Sequence, residues 1–520
     1  MSAWSDHLLV LPIVLPIAAS GIMLLLDERR SGLKAAISLA TATALLVTAL
    51  ALAWRMTDTP EVYRLGNWAA PYGIVLVADR LSAMMLMLTG VLGLAALVFA
   101  VARWDRAGPR FHALFLLLLM GVNGAFLTGD LFNLFVFFEV MLAASYGLVL
   151  HGSGEARIRA GLAYIAVNLI ASLFFLVGVS LVYGTMGTLN MADLARRLSE
   201  TGGGAGLFEA GCAVLGIAFL IKCSAWPLGF WLPPTYAAAS PPAAAVLAIL
   251  SKVGVYVVVR LSLLLFGAGA SEGFGQGWLF AAGLATIAYG TLGILGARDL
   301  MRAAAYAVMI SSGTVLAALG TGNRAALSGA LFYLVGSTLA AGALFLLGEI
   351  LQRGRDPAAA SLAVFADEYR DPFDDEGATE TGRAIPAAVA IVGGAFLFCA
   401  LMLAGLPPLA GFVGKLAMFS GLAAGAMPPA AWAFILVLTL SSLGTLMPLV
   451  RLGTLGFWVP HDDSDPVIGP LEFAALAGLL GACLVLTLWA GAALAYTDRT
   501  VAGLSNAAGY IGAVLGSGTP

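Results

Sequence analysis

Charge is scarce in this sequence. Only 11% of the 520 residues are Asp, Glu, Lys or Arg, where about 25% is usual for a soluble globular domain. Residues of the set AVILMFWYC make up 61%, and a soluble chain with that balance could not cover its own surface with polar groups. The shortage excludes a cytosolic enzyme, a nucleic-acid binder and a disordered scaffold. A net charge of -3 supplies no pull on an anionic partner. What remains is a polytopic membrane protein whose surroundings are the lipid bilayer.

Cysteine and histidine are equally sparse. Cys212, Cys223, Cys399 and Cys483 lie within apolar stretches without a C-x-x-C spacing, which argues against a disulfide framework or a zinc site. The four histidines (His7, His112, His151 and His461) fall at or beyond the ends of hydrophobic runs, so paired haem ligands are lacking too. No metal and no cofactor is expected. The N-terminus MSAWSDHLLV has no basic n-region, and Arg29 and Arg30 follow the first apolar run. This reads as an uncleaved first span with its N-terminus outside.

Runs of about 20 apolar residues, enough to cross a bilayer, fall near 8–26, 33–54, 79–102, 112–128, 130–150, 159–184, 207–230, 241–266, 274–296, 299–320, 325–352, 385–424, 430–451 and 470–495. The predicted fold is therefore all-α, with about 14 transmembrane helices. The run at 385–424 is too long for one span, and a Pro-rich stretch separates 207–230 from 241–266, so broken helices are expected at both. With the N-terminus outside, 15 of the 26 basic residues fall in cytoplasmic segments and eight in outer ones, which agrees with the positive-inside bias. An even number of spans returns the C-terminus to the outside. The polar insertion at 353–384, with eight acidic residues and four arginines, reads as a solvated cytoplasmic loop.

The lysine count is the sharpest signal. The chain has 22 arginines and four lysines, yet Lys222, Lys252 and Lys415 all sit inside predicted spans. Lys34 alone reads as a loop cation that arginine could replace. A charge at a helix centre costs on the order of 2.5–3.5 kcal/mol on insertion scales, so three lysines and an acid oppose insertion by roughly 10 kcal/mol. Lysine can lose its proton when buried, whereas arginine cannot; a row of buried lysines suits a proton relay. The structural alternative is that each lysine caps carbonyls freed by a broken helix. The matching acid is Glu139, the deepest in the sequence, with Lys222 as its expected partner. Asp79, Asp130, Glu209, Asp299 and Glu349 fall near span ends, within reach of water or headgroups.

Helix breakers stand beside these charges. In KCSAWPLGFWLPP, Pro227 leaves the Cys223 carbonyl without its helical donor; in GLPPLAGFVGK, Pro407 and Pro408 free the carbonyls of Leu403 and Ala404. Such backbone is tolerated at membrane depth only inside protein or beside a watery cavity. The similarity of PLGF at 227–230 to PLAGF at 408–412 points to an internal repeat. An offset of five spans, an odd number, makes the repeats inverted.

FNLFVFFEVMLAASYG, IKCSAWPLGFWLPPTYAAASPPAAAVLAILSKVGVYVVVR and AGLPPLAGFVGK, in that order, resemble the antiporter-like subunits shared by complex I, membrane-bound hydrogenases and Mrp (multiple resistance and pH) cation/proton antiporters, most closely the D-type subunit of the Mrp group. The resemblance covers nearly the whole chain. It implies N-terminal helices over 1–110, inverted five-helix repeats over 111–266 and 267–453, and a last helix and tail over 454–520. It implies proton translocation along Glu139, Lys222, Lys252 and Lys415 within a multisubunit complex of a bacterial inner membrane, coupled to efflux of Na⁺ or K⁺. The chain would then be a secondary transporter subunit, not an enzyme. A proton-pumping subunit of a complex I-like or hydrogenase redox complex stands as the alternative. Two departures matter: Gly336 stands where many relatives carry histidine, and Gly229 where PLH is common. Tyr333, Ser337 and Thr338, with water, are the expected polar linkers between Lys252 and Lys415.

Overall fold

The computed structural model describes residues 6–200, 206–269, 271–353, 387–424, 427–457 and 468–516. Apart from Arg353, the acidic insertion lies outside the described residues, as does His461. In chain order the helices are α1 (Leu11–Leu25), α2 (Ser31–Arg55), α3 (Arg80–Arg103), α4 (Phe111–Leu127), α5 (Leu131–Val149), α6 (Glu155–Met186), α7 (Met191–Glu200), α8 (Gly206–Lys222), α9 (Leu232–Ala238) and α10 (Pro241–Phe266). They continue as α11 (Gln276–Leu295), α12 (Leu300–Gly320), α13 (Arg324–Arg353), α14 (Ala387–Ala404), α15 (Ala410–Ala423), α16 (Pro429–Phe457), α17 (Pro470–Leu488), α18 (Ala490–Leu504) and α19 (Ala507–Leu515). Among the described residues, ten helices are long and apolar enough to cross a membrane, and four apolar helices are shorter.

Two elements were not legible as apolar runs. An antiparallel hairpin of β1 (Glu61–Arg64) and β2 (Val75–Ala78) joins α2 to α3. The amphipathic α7 buries Asp193, which accepts from Arg196 at 2.5 Å and Arg197 at 3.0 Å. The acids at span ends have local work to do. Asp79, Asp130 and Asp299 are N-caps, accepting from backbone N–H groups in the first turns of α3, α5 and α12.

Burial sorts the helices. The apolar segment of α10 is entirely buried and those of α12 and α13 nearly so. By contrast α16 exposes Leu436, Leu440, Leu443 and Met447, a stripe at helical spacing that suits contact with lipid. Corresponding pairs pack in both halves: α4 on α5 and α6 on α8, then α11 on α12 and α13 on α14.

Both breaks form as expected, and in the same way. Helix α8 ends with Ser224 at φ +55° and a bond from Ala225 N to Leu220 O of 2.9 Å. Helix α14 ends with Gly405 at φ +72° and a bond from Leu406 N to Leu401 O of 3.0 Å. Each is a six-residue closure around a left-handed residue, with a proline three positions later: Pro227 and Pro408. Backbone then returns so tightly that a Cβ on Gly229 would lie 2.0 Å from Ser224 O, and one on Gly411 2.0 Å from Met402 O. Gly229 therefore cannot be the histidine of PLH; the loop leaves no room for any side chain.

Gly229→Ala and Gly411→Ala should each destabilise the protein by roughly 1–3 kcal/mol or more, because the obstructing atom is backbone. Gly216→Ala in α8, where a Cβ meets nothing within 4 Å, should leave stability unchanged. Thermal unfolding of the three variants in detergent checks the contrast.

Candidate functional site

A lysine in an apolar bundle needs oxygen around it. Lys222 is 4% exposed, Lys252 0% and Lys415 5%, and each ammonium is met by oxygens from a neighbouring helix or break. Lys252 on α10 donates to Val308 O at 2.9 Å and Ser312 Oγ at 3.0 Å, both on α12. Lys415 on α15 donates to Ala404 O at 2.9 Å and Ser442 Oγ of α16 at 2.7 Å. Ala404 O is one of the carbonyls that Pro408 deprives of a helical donor, so this lysine also closes the break. The Cys223 carbonyl freed by Pro227 is taken instead by Ser224 Oγ at 2.7 Å.

Glu139 and Lys222 come together through α6 rather than as a direct ion pair. Ser172 Oγ donates to Glu139 Oε1 at 2.5 Å. One turn earlier, Asn168 Oδ1 accepts from Lys222 Nζ at 3.2 Å. The ammonium also lies 5.8 Å from the ring centre of Phe138, the residue before Glu139, within cation–π range. Glu139 is half-buried while the lysine is enclosed.

Polar groups of α12 and α13 adjoin both Lys252 and Lys415. Ser311, beside Ser312, bonds Ser337 across the α12–α13 contact at 2.7 Å, and Ser337 Oγ donates to Tyr333 O at 2.7 Å. The Tyr333 ring faces Lys415 with its centre 5.5 Å from Nζ. Two of the three expected linkers thus lie among these groups. Thr338 does not: it turns back on its own helix, donating to Leu334 O. At Gly336 a Cβ would meet Met402 Cε at 3.1 Å and Leu486 Cδ2 at 3.2 Å, so apolar packing fills the place of the histidine. Asn168, Ser172, Ser311, Ser312 and Ser442 were missed in the sequence. Their signal was a polar residue deep in an apolar run, as in AVMISSGTV.

Three positions differ from the sequence reading. Lys34 is not a loop cation: it lies buried in the first turn of α2, 2.9 Å from Glu28. Arg260, one of the eight basic residues counted to the outer side, is enclosed rather than solvated and pairs with Asp79 at 2.8 Å while its Nε donates to Tyr256 Oη at 2.9 Å. Glu349 is buried and held by Trp104 Nε1 and Arg353 rather than solvated. Each of these charges carries a protein partner because it is desolvated.

A family model described as NADH:quinone oxidoreductase/Mrp antiporter, transmembrane, matches residues 128–444, which contain the entire row from Glu139 to Ser442. The chain belongs to this family. It is 52% identical, over 96% of each chain, to a Rhizobium meliloti (strain 1021) protein named as a probable K⁺/H⁺ antiporter subunit of type D. It is 30% identical, over 98% of this chain and 99% of the other, to a Bacillus subtilis (strain 168) protein named as a Na⁺/H⁺ antiporter subunit of type D. A chain in the structure of the Mrp complex from Dietzia sp. DQ12-45-1b superposes with a TM-score of 0.82 at 27% identity, over 99% of this chain and all of that one. The resemblance read from the three motifs is thereby established for the family.

Asn168→Leu should destabilise the protein by roughly 1–3 kcal/mol, since it strips a buried ammonium of its nearer acceptor. Ser180→Ala on the same helix, whose hydroxyl bonds only its own Leu176 O, should have no measurable effect. A shift in thermal midpoint for the first variant alone is the expected result.

Proposed function

We propose that this chain is the proton-translocating subunit of a multisubunit cation/proton antiporter in a bacterial plasma membrane, with both termini outside. Protons pass along Glu139, Lys222, Lys252 and Lys415 as a monovalent cation is expelled. The observation that carries the proposal is the buried row itself: three lysines joined to hydroxyls, amide and backbone oxygens inside an apolar bundle. Potassium is the preferred cation, supported by the 52% identity to the relative named for it against 30% for the one named for sodium. The matched breaks and matched helix pairs support two inverted repeats over 111–266 and 267–453, flanked by 1–110 and 454–520.

The partners of the lysines fit a group that changes protonation. An ammonium donates three hydrogens; the neutral amine donates two and accepts one. A serine hydroxyl both donates and accepts. Lys252 faces one carbonyl and one hydroxyl, as does Lys415, so each stays bonded in either state: the amine donates to the carbonyl and accepts from the serine. Ser172 can likewise donate to a Glu139 carboxylate or accept from its acid form. A charge moved onto one site alters its neighbours through a medium of low dielectric. A proton entering across 100 mV releases about 2.3 kcal/mol and a monovalent cation leaving costs as much, so the potential drives the exchange only when more than one proton enters per cation, and at one for one the pH gradient drives it.

Two outcomes test this reading. Lys252→Arg should abolish antiport while the complex still assembles, because arginine keeps the charge and cannot release the proton; near-normal transport would sink the relay. Glu139→Gln should also fail. The assay is recovery of a ΔpH signal in inverted vesicles of an antiporter-deficient host expressing the full set of subunits, on adding K⁺ or Na⁺ at constant respiration. Absence of recovery with either cation, in an assembled complex, would point to a redox-driven pump instead.

A further inference from the structure

Away from the lysine row, the α1–α2 turn and the α3–α4 connection enclose a cavity of about 370 Å³. Its charges do not balance locally. Glu28 is occupied by Lys34 at 2.9 Å, and Asp105 Oδ2 lies 3.4 Å from His112 Nε2. Arg29, Arg106 and Arg110 also line the cavity, are exposed, and form no ion pair among the described residues. Two helices begin here, and neither N-terminus is capped by a side chain: α2 after Arg30 and α4 after Arg110. Ser31, Phe111, His112 and Ala113, from those first turns, face the space. Unsatisfied first-turn N–H groups and the helix dipole make such ends receptive to anions.

A second observation is independent of the helix ends. His112 is 5% exposed and lines the cavity; its Nε2 faces Asp105, and its Nδ1 has no hydrogen-bond partner. A buried ring nitrogen without a partner is costly unless something else supplies one. Three guanidiniums without an ion pair and two sets of free first-turn N–H groups outnumber the acceptor left unmet there, Asp105 Oδ1. A phosphate group supplies acceptors on every side.

The geometry points to a site for the phosphate of an anionic phospholipid at this cavity. The lipid source, rather than free phosphate, follows from the adjoining surface. Leu24 lines the cavity and is exposed, and with Leu25, Ile17 and Val14 it forms an apolar stripe along α1. That stripe is a bed for acyl chains directly below the arginines, and basic pockets between membrane helices hold headgroups in this way.

The test uses the assembled complex in detergent, stripped of lipid and titrated with phosphatidylglycerol, phosphatidylcholine or inorganic phosphate, with bound species counted by native mass spectrometry. Phosphatidylglycerol should bind in preference to phosphatidylcholine. The variant Arg29→Gln/Arg106→Gln/Arg110→Gln should weaken that binding about tenfold or more. Arg159→Gln, at a guanidinium 82% exposed elsewhere, should leave it unchanged. If the triple variant does not assemble, Arg106→Gln and Arg110→Gln singly, both at exposed positions, carry the same comparison. Undiminished binding in these variants, equal binding of the two lipids, or competition by inorganic phosphate at the lipid's own affinity would each overturn the proposal.

Discussion

Everything central to this structure answers one constraint: an ammonium group at membrane depth must be surrounded by oxygen, and an apolar bundle has little oxygen to offer. The chain meets the demand from three sources. Carbonyls come from backbone, including Ala404 O at the second break. Hydroxyls come from serines placed opposite each lysine, Ser312 for Lys252 and Ser442 for Lys415. An amide, Asn168, serves Lys222. No lysine of the row is answered by a carboxylate at ion-pair distance among the described residues. A tight ion pair would hold the proton in place; hydroxyls and carbonyls solvate the ammonium without a fixed countercharge.

This distinguishes the row from the other buried charges. Arg260 with Asp79, and Arg353 with Glu349 and Glu472, are direct carboxylate pairs at 2.7–2.9 Å. Both of these use arginine, which does not give up its proton; buried Lys34, at the start of α2, is likewise paired directly, with Glu28 at 2.9 Å. The division of labour is visible in the chemistry of each group: arginine–carboxylate pairs lock helix ends, lysine–hydroxyl contacts line the middle. The structural reading of the lysines therefore survives for one of them in part, since Lys415 does close a break. It does not account for Lys252, whose carbonyl partner Val308 O lies within the unbroken α12.

The fold was legible because its signals were large. Apolar runs of span length become helices, Asp79, Asp130 and Asp299 start three of them, and the two proline breaks fall where the missing N–H groups put them. The charged members of the site were legible for the same reason, each being a cost that a membrane helix does not carry idly. Their partners were not. A serine in an apolar run is cheap, because its hydroxyl can bond the carbonyl one turn back, as Thr338 does, and only the facing helix decides whether it does more. Lys34 and Glu349 were read as solvated because nearness to a span end does not reveal what packs over that end.

Glycines determine how near the members of the row can come. A Cβ at Gly254, two residues after Lys252, would lie 2.8 Å from Cys223 N, the residue after Lys222. The backbone of α10 therefore meets the end of α8 where the two lysines leave their helices. A Cβ at Gly414, beside Lys415, would lie 2.9 Å from Tyr333 Cβ, and that contact brings the ring of Tyr333 against the ammonium. Small residues let membrane helices approach where larger ones would hold them apart. Charge coupling falls with distance, so the spacing set by these two glycines governs how strongly one lysine feels the next. Gly336, packed about by Met402 and Leu486, leaves the row in place, because the close backbone contacts lie beside the lysines themselves.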